Sequence, residues 1–329
     1  MIEARIKLSP NICRVAALVA WLGVTAVAPA LAADFPTRPV RLIVSWNPGG
    51  GADSLARQLS RGLTERWGQA VVVENKPGAD ATIGIQALAM APPDGYTIAI
   101  IITSHAVHPS VRKSLPYNLL QDFTPVTNVV EAPNLLVVNP KLNVHNVQEL
   151  IALGKTKSLN FGAPGLGGPG HLGGVMFNAM AGTEAMHIPY SGGAPTLTAV
   201  VRGDVDFMFT TMLSGLPLAK SGQVRAIAIT SAQRSPLAPE LPTVSESGLK
   251  GFELVTWYGI ITRAGTPKPI VDQLARDIDA VVKEPKLAAQ LAAEGTQVIA
   301  SGPDKFAPYL ASEVKKWAGI VKQANIQPE

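Results

Sequence analysis

The sequence predicts an α/β fold built as two lobes, and three observations support this prediction. Apolar runs of strand length alternate with amphipathic helical stretches along most of the chain. The strand runs are continuously apolar, which is typical of parallel strands that are covered by helices on both faces. Two long apolar segments, Phe123–Asn139 and Gly251–Thr262, enclose a further stretch of α/β pattern. They predict two hinge strands that leave one lobe and return to it, with a cleft between the lobes.

The first 32 residues are typical of a secretory signal rather than of a folded domain. Arg5, Lys7 and Arg14 form a positive start, the apolar run VAALVAWLGVTAVAP follows, and Ala30–Ala32 fits a small-x-small cleavage site. An uncleaved membrane anchor is the alternative, but no positive flank follows the apolar run. We therefore expect an exported protein whose signal is cleaved near Ala32.

Composition excludes several classes of function. The chain has 329 residues, of which 47% are hydrophobic and 16% charged, as expected for a globular protein. The formal net charge of +4 falls to about +2 without the signal, and no block of Lys and Arg indicates nucleic-acid binding. The single cysteine, Cys13, lies in the signal, so the mature chain has no thiol for disulfides, metals or catalysis. We expect no cofactor and no metal.

The predicted elements follow in order along the chain. The strand candidates are Val40–Trp46, Ala70–Glu74, Tyr96–Thr103, Leu135–Val138, Leu159–Gly162, Ala185–Ile188, Val205–Thr210, Val224–Thr230 and Phe252–Ile261. The stretch Ser54–Trp67 carries Leu55, Leu59 and Leu63 at a spacing of four, which predicts an amphipathic helix. From Pro269 to Asn325 the pattern is helical, and we expect this tail to pack back on the first lobe.

Three glycine-rich loops join predicted strands to predicted helices: Asn47–Ser54, Asn75–Gly84 and Gly162–His171. In a parallel α/β sheet such loops lie beyond the carboxyl ends of the strands, where ligands bind. A helix N-terminus exposes unpaired N–H groups, and glycine lets an anion reach them. Any one of these loops could be only a tight turn, but three equivalent loops favour binding. Asp53 is expected to be a helix N-cap rather than a ligand contact.

The anion predicted for these loops is a carboxylate rather than a phosphate. The chain has no GxxxxGK[ST] motif. GLGGPG matches GxGxxG, but the strand Ala185–Ile188 ends in Pro189–Ser191, without the acidic residue that would bind a ribose. Three or four charge-assisted hydrogen bonds contribute about 5–12 kcal/mol before costs. Micromolar affinity requires about 8 kcal/mol.

Enzyme chemistry finds little support in the motifs. GxSxG and HExxH are both absent from the sequence. His105 and His108 have a spacing that suits a metal, but no thiol or carboxylate is near, so we expect a surface loop pair. A secreted enzyme that uses His171 with Ser104 or Asp206 is the alternative to a binding protein.

The motifs together resemble one family across essentially the whole mature chain. They are, in order, FPTRPVRLIVSWNPGGGADSLAR, VVVENKPGADATIG, PPDGYTI, SHAVHPSV, GHLGGVMFNAMAG, HIPYSGGAPTLTAVVRGDVDFMF, PTVSESGLKGFELVTWYGI, AGTPKPIVDQL and EVKKWAGIVKQANI. The chain resembles the Bug-type, TctC-like solute-binding proteins of tripartite tricarboxylate transporters. This implies a monomeric periplasmic protein of the type II-like two-lobed fold, without catalysis, that delivers a small carboxylate to a membrane permease. A ligand-presenting sensor is the alternative.

The resemblance also implies domain boundaries and ligand contacts. Lobe one would comprise residues 33–130 and 256–329, and lobe two residues 131–255. The first two loops would bind one carboxylate through backbone N–H groups and water, and Ser104 would place a hydroxyl near the ligand. The candidate ligand-binding residues are Trp46, Asn47, Gly50, Gly51, Asp53, Gly78, Ala79, Asp80, Ala81, Thr82, Ser104, Ala163, Gly167, His171, Tyr190, Ser191, Gly192 and Asp206.

Two positions depart from the family pattern. The second loop commonly reads PGAGG but here reads Pro77–Ala81 with Asp80 in it, and Val175 stands where relatives often carry Glu. A carboxylate beside an anion site repels a second negative charge. We therefore expect a monocarboxylate, a small aromatic acid or a zwitterion rather than a citrate-like trianion.

Overall fold

A computed structural model describes residues 35–323, apart from 165, 166 and 191, together with residues 326 and 328. Pro36–Glu329 fold as one compact unit. The predicted signal, residues 1–32, lies outside the described residues. Both predicted lobes fall within that one unit, so their boundaries stay a prediction. No helix among the described residues is long and apolar enough to cross a membrane.

Strands and helices alternate as the sequence predicts. The strands are β1 Val40–Val44, β2 Val71–Asn75, β3 Thr97–Ile102, β4 Phe123–Val138, β5 Asn160–Pro164, β6 Met186–Tyr190, β7 Phe207–Thr211, β8 Arg225–Ile229, β9 Val255–Arg263 and β10 Gln297–Val298. The helices are α1 Gly51–Trp67, α2 Thr82–Ala89, α3 Thr103–Val111, α4 Val147–Thr156, α5 Pro169–Ala181, α6 Gly193–Arg202, α7 Met212–Lys220, α8 Lys268–Val282, α9 Pro285–Ala293 and α10 Gly302–Gln323. A 3₁₀ turn spans Pro140–Leu142.

The strands form a sheet in two halves that share β4. The order along it is β2-β1-β3-β9-β4-β7-β5-β6, with β10 and β8 also paired to β4. In the first half β1 is parallel to β2 and β3, and in the second half β5 is parallel to β6 and β7. The prediction of parallel pairing is confirmed for these strands. The crossing strands β4 and β9 run antiparallel to each other and to their neighbours.

The strand β4 crosses from one half to the other. Its first part, from Phe123 to Pro133, pairs with β9. Its last part, from Asn134 to Val138, pairs with β7, and residues 135–138 also pair with β8. The register with β9 shifts next to Pro125, a residue that cannot donate to the ladder.

The carboxyl ends of the parallel strands point toward the crossing segments from both halves. Ile102, which ends β3, lies opposite Tyr258 of β9, whereas Ile98 lies opposite Thr262, farther from the start of β9. Thr211, which ends β7, lies opposite Asn134 of β4. Because β1 and β2 run with β3, and β5 and β6 run with β7, the loops after all six strands lie near this crossing.

The helical tail packs on the first half of the sheet, as predicted. Trp257 of β9 and Trp317 of α10 both donate their indole N–H to Glu313, at 2.9 and 3.1 Å. Phe306 of α10 is fully buried under Gly259. The sequence did not predict β10, a two-residue strand that pairs with β4 between α9 and α10.

Candidate functional site

The first glycine-rich loop connects β1 to α1 and presents bare backbone. α1 begins at Gly51, and Gly50 is its N-cap in extended backbone. Asn47, Gly49 and Gly50 are exposed, and a Cβ built on either glycine would have no atom within 4 Å. Gly49 has a φ of +91°, which glycine adopts without strain. Since the first amides of a helix have no acceptor within it, this loop presents N–H donors to open space.

Asp53 fixes the shape of this first loop. One carboxylate oxygen accepts from the Gly49 N–H and from Arg57 Nε, both at 2.9 Å. The other oxygen accepts from Asn75 Nδ2 at 2.9 Å. The hydrogen bond from Arg57 is the largest cause that lowers the pKa of Asp53 to about 2. The prediction that Asp53 is the N-cap is wrong, because Gly50 takes that position and Asp53 reaches back from the third helical residue.

Trp46 is held beside a buried histidine. Its carbonyl accepts from Asn75 Nδ2 at 3.1 Å, and its ring meets that of His105 edge-on, with centroids 4.9 Å apart. The Ile102 N–H donates to His105 Nδ1 at 3.1 Å. Burial, and then the neighbouring His108, holds the pKa of His105 well below its usual range. The prediction of a surface loop pair is wrong, because both histidines are buried in α3.

The second loop contains a left-handed turn made largely without glycine. Gly78, Ala79, Asp80 and Ala81 have φ of +122°, +44°, +53° and +68°. The Thr82 N–H donates to the Ala79 carbonyl at 3.1 Å as α2 begins. Left-handed backbone costs roughly 1–2 kcal/mol for each residue that has a Cβ. The turn therefore needs support from the surrounding structure.

An ion pair supplies part of that support. The Asp80 carboxylate accepts from Arg112, the residue that ends α3. Beside it, Ala81 and Thr82 are buried while Gly78, Ala79 and Asp80 stay exposed. Arg112 thus offsets part of the negative charge of Asp80, which weakens its repulsion of an anion.

The start of α3 carries Ser104 and is fastened to a crossing strand. Thr103 Oγ1 donates to the Val255 carbonyl and accepts from the Trp257 N–H, both at 3.1 Å. Ser104 is the second residue of the helix and is buried. Its position at the end of β3 puts it beside the first loop, since β3 pairs with β1.

Tyr258 was missed by the sequence analysis. Its Oη lies 2.8 Å from the place where a Cβ on Gly51 would be, so the hydroxyl approaches the N-terminus of α1. Burial raises the pKa of Tyr258 to about 12, which keeps the hydroxyl protonated as a donor. The alternation of a strand puts Tyr258 on the face opposite Trp257, and this signal could have identified it.

In the second half of the sheet, His171 and His187 shape the third loop. The Gly167 N–H donates to His171 Nδ1 at 3.2 Å. The two histidine rings have centroids 4.6 Å apart, and His187 Nε2 lies 3.3 Å from the Ala163 carbonyl. Burial, and then His187, lowers the pKa of His171 to about 4. His171 is therefore a neutral acceptor that pins the loop backbone.

Tyr190 and Gly192 lie next to this third loop. Tyr190 ends β6, which pairs with β5, and its ring lies 3.4 Å from the position of a Cβ on Gly162. Gly192 is the N-cap of α6 and has a φ of +153°. Ser191, predicted to bind with them, lies outside the described residues.

Asp206 lies away from the third loop, at the amino ends of the strands. Its carboxylate accepts from the Asn160 N–H at 2.7 Å, and its own N–H donates to the Asn160 carbonyl at 2.9 Å. Asn160 starts β5, whereas the third loop follows Pro164 at the other end of that strand. The prediction that Asp206 lies with the ligand-binding residues is therefore wrong, since it tethers the amino ends of the strands.

The structure brings the remaining described candidates together as two groups, one at the carboxyl ends of β1, β2 and β3 and one at those of β5 and β6. The cations in or next to the first two loops are already paired, Arg57 with Asp53, Lys76 with Glu74 and Arg112 with Asp80. An anion here would meet backbone amides and hydroxyls. Across the described residues, no group of three or more His, Cys, Asp and Glu is arranged to hold a metal ion.

Comparisons with known proteins identify the family of this chain. Residues 55–326 match the model of the tripartite tricarboxylate transporter family receptor, TctC. Protein BugT of Bordetella pertussis is 34% identical over 321 residues, which cover 96% of this chain and 98% of BugT.

Three solved structures have the same fold. Rpa4515 of R. palustris with adipate has a TM-score of 0.79 at 32% identity, covering 90% of this chain and 100% of its own. The periplasmic binding protein BugD has a TM-score of 0.77 at 33% identity, with coverage of 90% and 100%. MatC of Rhodopseudomonas palustris with bound malate has a TM-score of 0.75 at 29% identity, with coverage of 87% and 100%. The chain therefore belongs to the TctC family of tripartite tricarboxylate transporter receptors, and it is a solute-binding protein of the two-lobed α/β fold rather than an enzyme.

Proposed function

We propose that this protein captures a small carboxylate between two lobes in the periplasm and delivers it to a membrane permease of the tripartite tricarboxylate type. The observation that carries the proposal is the first loop, where exposed glycines leave the amides of α1 open beside the Tyr258 hydroxyl. Such a set of donors suits a carboxylate, because it supplies hydrogen bonds and the positive end of a helix dipole. Lobe one is residues 33–130 and 256–329, and lobe two is residues 131–255.

The ligand class we propose is a short dicarboxylate. Rpa4515 binds adipate and MatC binds malate, and both are dicarboxylates. The expectation of a monocarboxylate, a small aromatic acid or a zwitterion rested on Asp80, whose charge Arg112 offsets in part, and on Val175 in place of Glu. One carboxylate would meet the first two loops and Ser104. The second would meet the amides at the start of α5 and α6 on the other lobe.

A calorimetric titration of the purified mature protein tests this proposal. The ligands are adipate, malate and citrate, with adipamide as a neutral control of the same length as adipate. We expect at least one dicarboxylate to bind with micromolar affinity and adipamide not to bind. Equal binding of adipamide would contradict recognition of the acid group, and tighter binding of citrate would contradict the ligand class.

The variant Gly50→Val localises the binding. Gly50 has extended backbone that valine accepts, and its added side chain would occupy only the open space before the α1 amides. We expect at least a tenfold loss of dicarboxylate affinity with an unchanged melting temperature. Gly319→Val, at an open position on α10, is the matched control and should bind like the parent. Full affinity in Gly50→Val would contradict a site at this loop.

The alternative is that the protein presents its ligand to a sensor rather than delivering it to a permease. Uptake of a labelled dicarboxylate in cells that lack the gene for this protein distinguishes the two. We expect uptake to fall to the background of permease-deficient cells. Normal uptake together with a lost transcriptional response to the dicarboxylate would favour the sensor.

A further inference from the structure

A cavity of about 560 Å³ lies against the crossing strands, and no candidate ligand-binding residue lines it. Its walls come from Glu131 and Pro133 of β4, Glu253 and Val255 at the start of β9, the loop 231–237, and the segment 292–299. Cavities of this size hold small organic molecules. The loop 231–237 belongs to the proposed second lobe and the segment 292–299 to the first, so the cavity spans the hinge.

The cavity and the ligand loops lie on opposite faces of β9. Side chains alternate along a strand, so Val255 and Trp257 point to one face and Tyr258 to the other. Val255 lines the cavity, whereas Tyr258 approaches Gly51 in the first loop. A rotation that narrows the cleft on one face of a hinge must change the width of the opposite face. The cavity is therefore placed to respond to closure.

Two carboxylates in this cavity have no counter-ion. Glu131 accepts hydrogen bonds from Asn128 Nδ2, at 2.8 Å, and from the Tyr309 hydroxyl. In the part of the chain that the structure describes, neither Glu131 nor Glu253 forms an ion pair. Burial, and to a lesser degree the charge of Glu253, raises the pKa of Glu131. The cation of the wall, Arg234, is engaged by Glu246 at 2.9 Å. Like charges in a partly buried space are unfavourable until a cation joins them.

The rest of the wall is of mixed polarity, and an apolar part lies beside polar residues such as Ser231, Gln233 and Thr296. Leu237, Val255 and Ile299 line it, and Leu237 is 40% exposed, which is high for a leucine. A metal ion does not suit this wall, since no three potential ligands converge anywhere among the described residues. A molecule that joins a cationic group to an apolar body would complement both parts.

We propose that this hinge cavity is a second ligand site, which binds an organic ammonium ion with its charge between Glu131 and Glu253 and its apolar body against Leu237 and Val255. Occupancy changes the equilibrium between open and closed lobes. By linkage, the ammonium ion and the dicarboxylate then alter each other's affinity by the same factor. The binding step stands independently of the proposed function, and only the coupling rests on it.

Titration with phenethylammonium tests the binding step. We expect saturable binding at least tenfold tighter than that of 2-phenylethanol, its neutral analogue. Glu253→Gln should weaken the binding at least fivefold. Glu253 is exposed, so this variant is expected to fold. Glu65→Gln, an exposed carboxylate on α1, is the matched control and should bind fully. Equal binding of 2-phenylethanol, no saturable binding, or full affinity in Glu253→Gln would overturn the site.

A second titration tests the coupling. The dicarboxylate is titrated with and without saturating phenethylammonium, and we expect its affinity to change at least threefold. The reciprocal titration should give the same factor. An unchanged affinity would overturn the coupling. Failure of every dicarboxylate to bind would count against the proposed function instead, because the phenethylammonium titration alone reports on the cavity.

Discussion

The first and second loops keep their exposed backbone in place by different means. Both carry exposed backbone between the carboxyl end of a strand and the start of a helix. The first does so with Gly49 and Gly50 in open space, and the second with a left-handed turn that contains Ala79, Asp80 and Ala81. The first loop is held by hydrogen bonds to Asp53, which is 3% exposed, and the second by an ion pair whose Asp80 side chain is 55% exposed. The comparison shows that exposed backbone can be formed either by glycine or by a strained turn that an ion pair holds in place.

We expect the largest loss of stability from removing the Asp53 carboxylate, which holds the first loop in place. Asp53→Ala leaves the Gly49 N–H, Arg57 and Asn75 without their shared acceptor. We expect a loss of about 3 kcal/mol in the free energy of unfolding, because hydrogen bonds to charged groups contribute about 1.5–3 kcal/mol each before water replaces them. Urea denaturation at pH 7 measures this change.

Asp80→Ala is the counterpart in the second loop. Exposed ion pairs contribute about 0–1 kcal/mol, so the loss should stay below that of Asp53→Ala. Equal losses in the two variants would show that the loops are not held differently.

A pH titration extends the comparison to the third loop. The pKa of His171 is lowered to about 4 in the folded protein, so the unfolded chain takes up the proton first as pH falls below about 6.5. The neutral imidazole contributes its full stabilisation above pH 6.5. This contribution, about 3 kcal/mol, is lost as the pH falls toward 4. Asp53, with a pKa of about 2, keeps its charge throughout this range.

The measurement is the free energy of unfolding between pH 7.5 and 4 for the parent and for His171→Gln. The buried His105 and His108 of α3 titrate in both proteins, so their contributions cancel in the difference. The difference therefore reports on His171 together with its neighbour His187. We expect a smaller loss of stability with acid in the variant. Parallel pH curves would contradict the role assigned to His171.

Gly51→Ala examines the close approach of Tyr258. The added Cβ would lie 2.8 Å from Tyr258 Oη, so one of them must move. We expect a loss of about 1–2 kcal/mol, as for other overpacked sites, and weaker binding of the dicarboxylate. In Gly51→Ala/Tyr258→Phe the clash is removed and most of the stability should return, as measured by urea denaturation. No recovery in the double variant would show that the hydroxyl is not the obstacle.

We expect the smallest change in stability from relieving the strain in the left-handed turn of the second loop. Ala79 is exposed with a φ of +44°, so Ala79→Gly should raise the free energy of unfolding by up to about 1 kcal/mol. Ala289→Gly on α9 is the matched control, an exposed alanine in a regular helix, and should lower stability by about 0.5–1 kcal/mol. The same sign in both variants would contradict strain at Ala79.

Sequence patterns predicted the elements well because burial on both faces leaves a clear apolar signal. Every strand candidate is present, and β4 joins two apolar runs that the pattern already placed in one crossing segment. α1 begins three residues before the predicted Ser54, because the Asp53 carboxylate folds back onto the glycines. A local hydrogen bond between a side chain and the backbone produces no periodic pattern in the sequence.

The candidate site was predicted only in part. The loops were found because glycines mark places where the chain needs bare backbone. The left-handed turn was not, since Ala79 and Ala81 have no preference for positive φ and part of its support comes from Arg112, far along the chain. Asp206 was misplaced because its role was carried over from the resemblance, although the predicted strand Val205–Thr210 already put it at an amino end.

The bond pattern of Thr103 has a mechanical consequence. By bonding both the Val255 carbonyl and the Trp257 N–H, the Thr103 side chain fastens the start of β9 to α3, the helix that carries Ser104. If the proposed lobes move, we expect the backbone to rotate before β9, near Gly251 with its φ of +83°, rather than within the strand. The residues around Ser104 would then keep the same arrangement in the open and the closed protein.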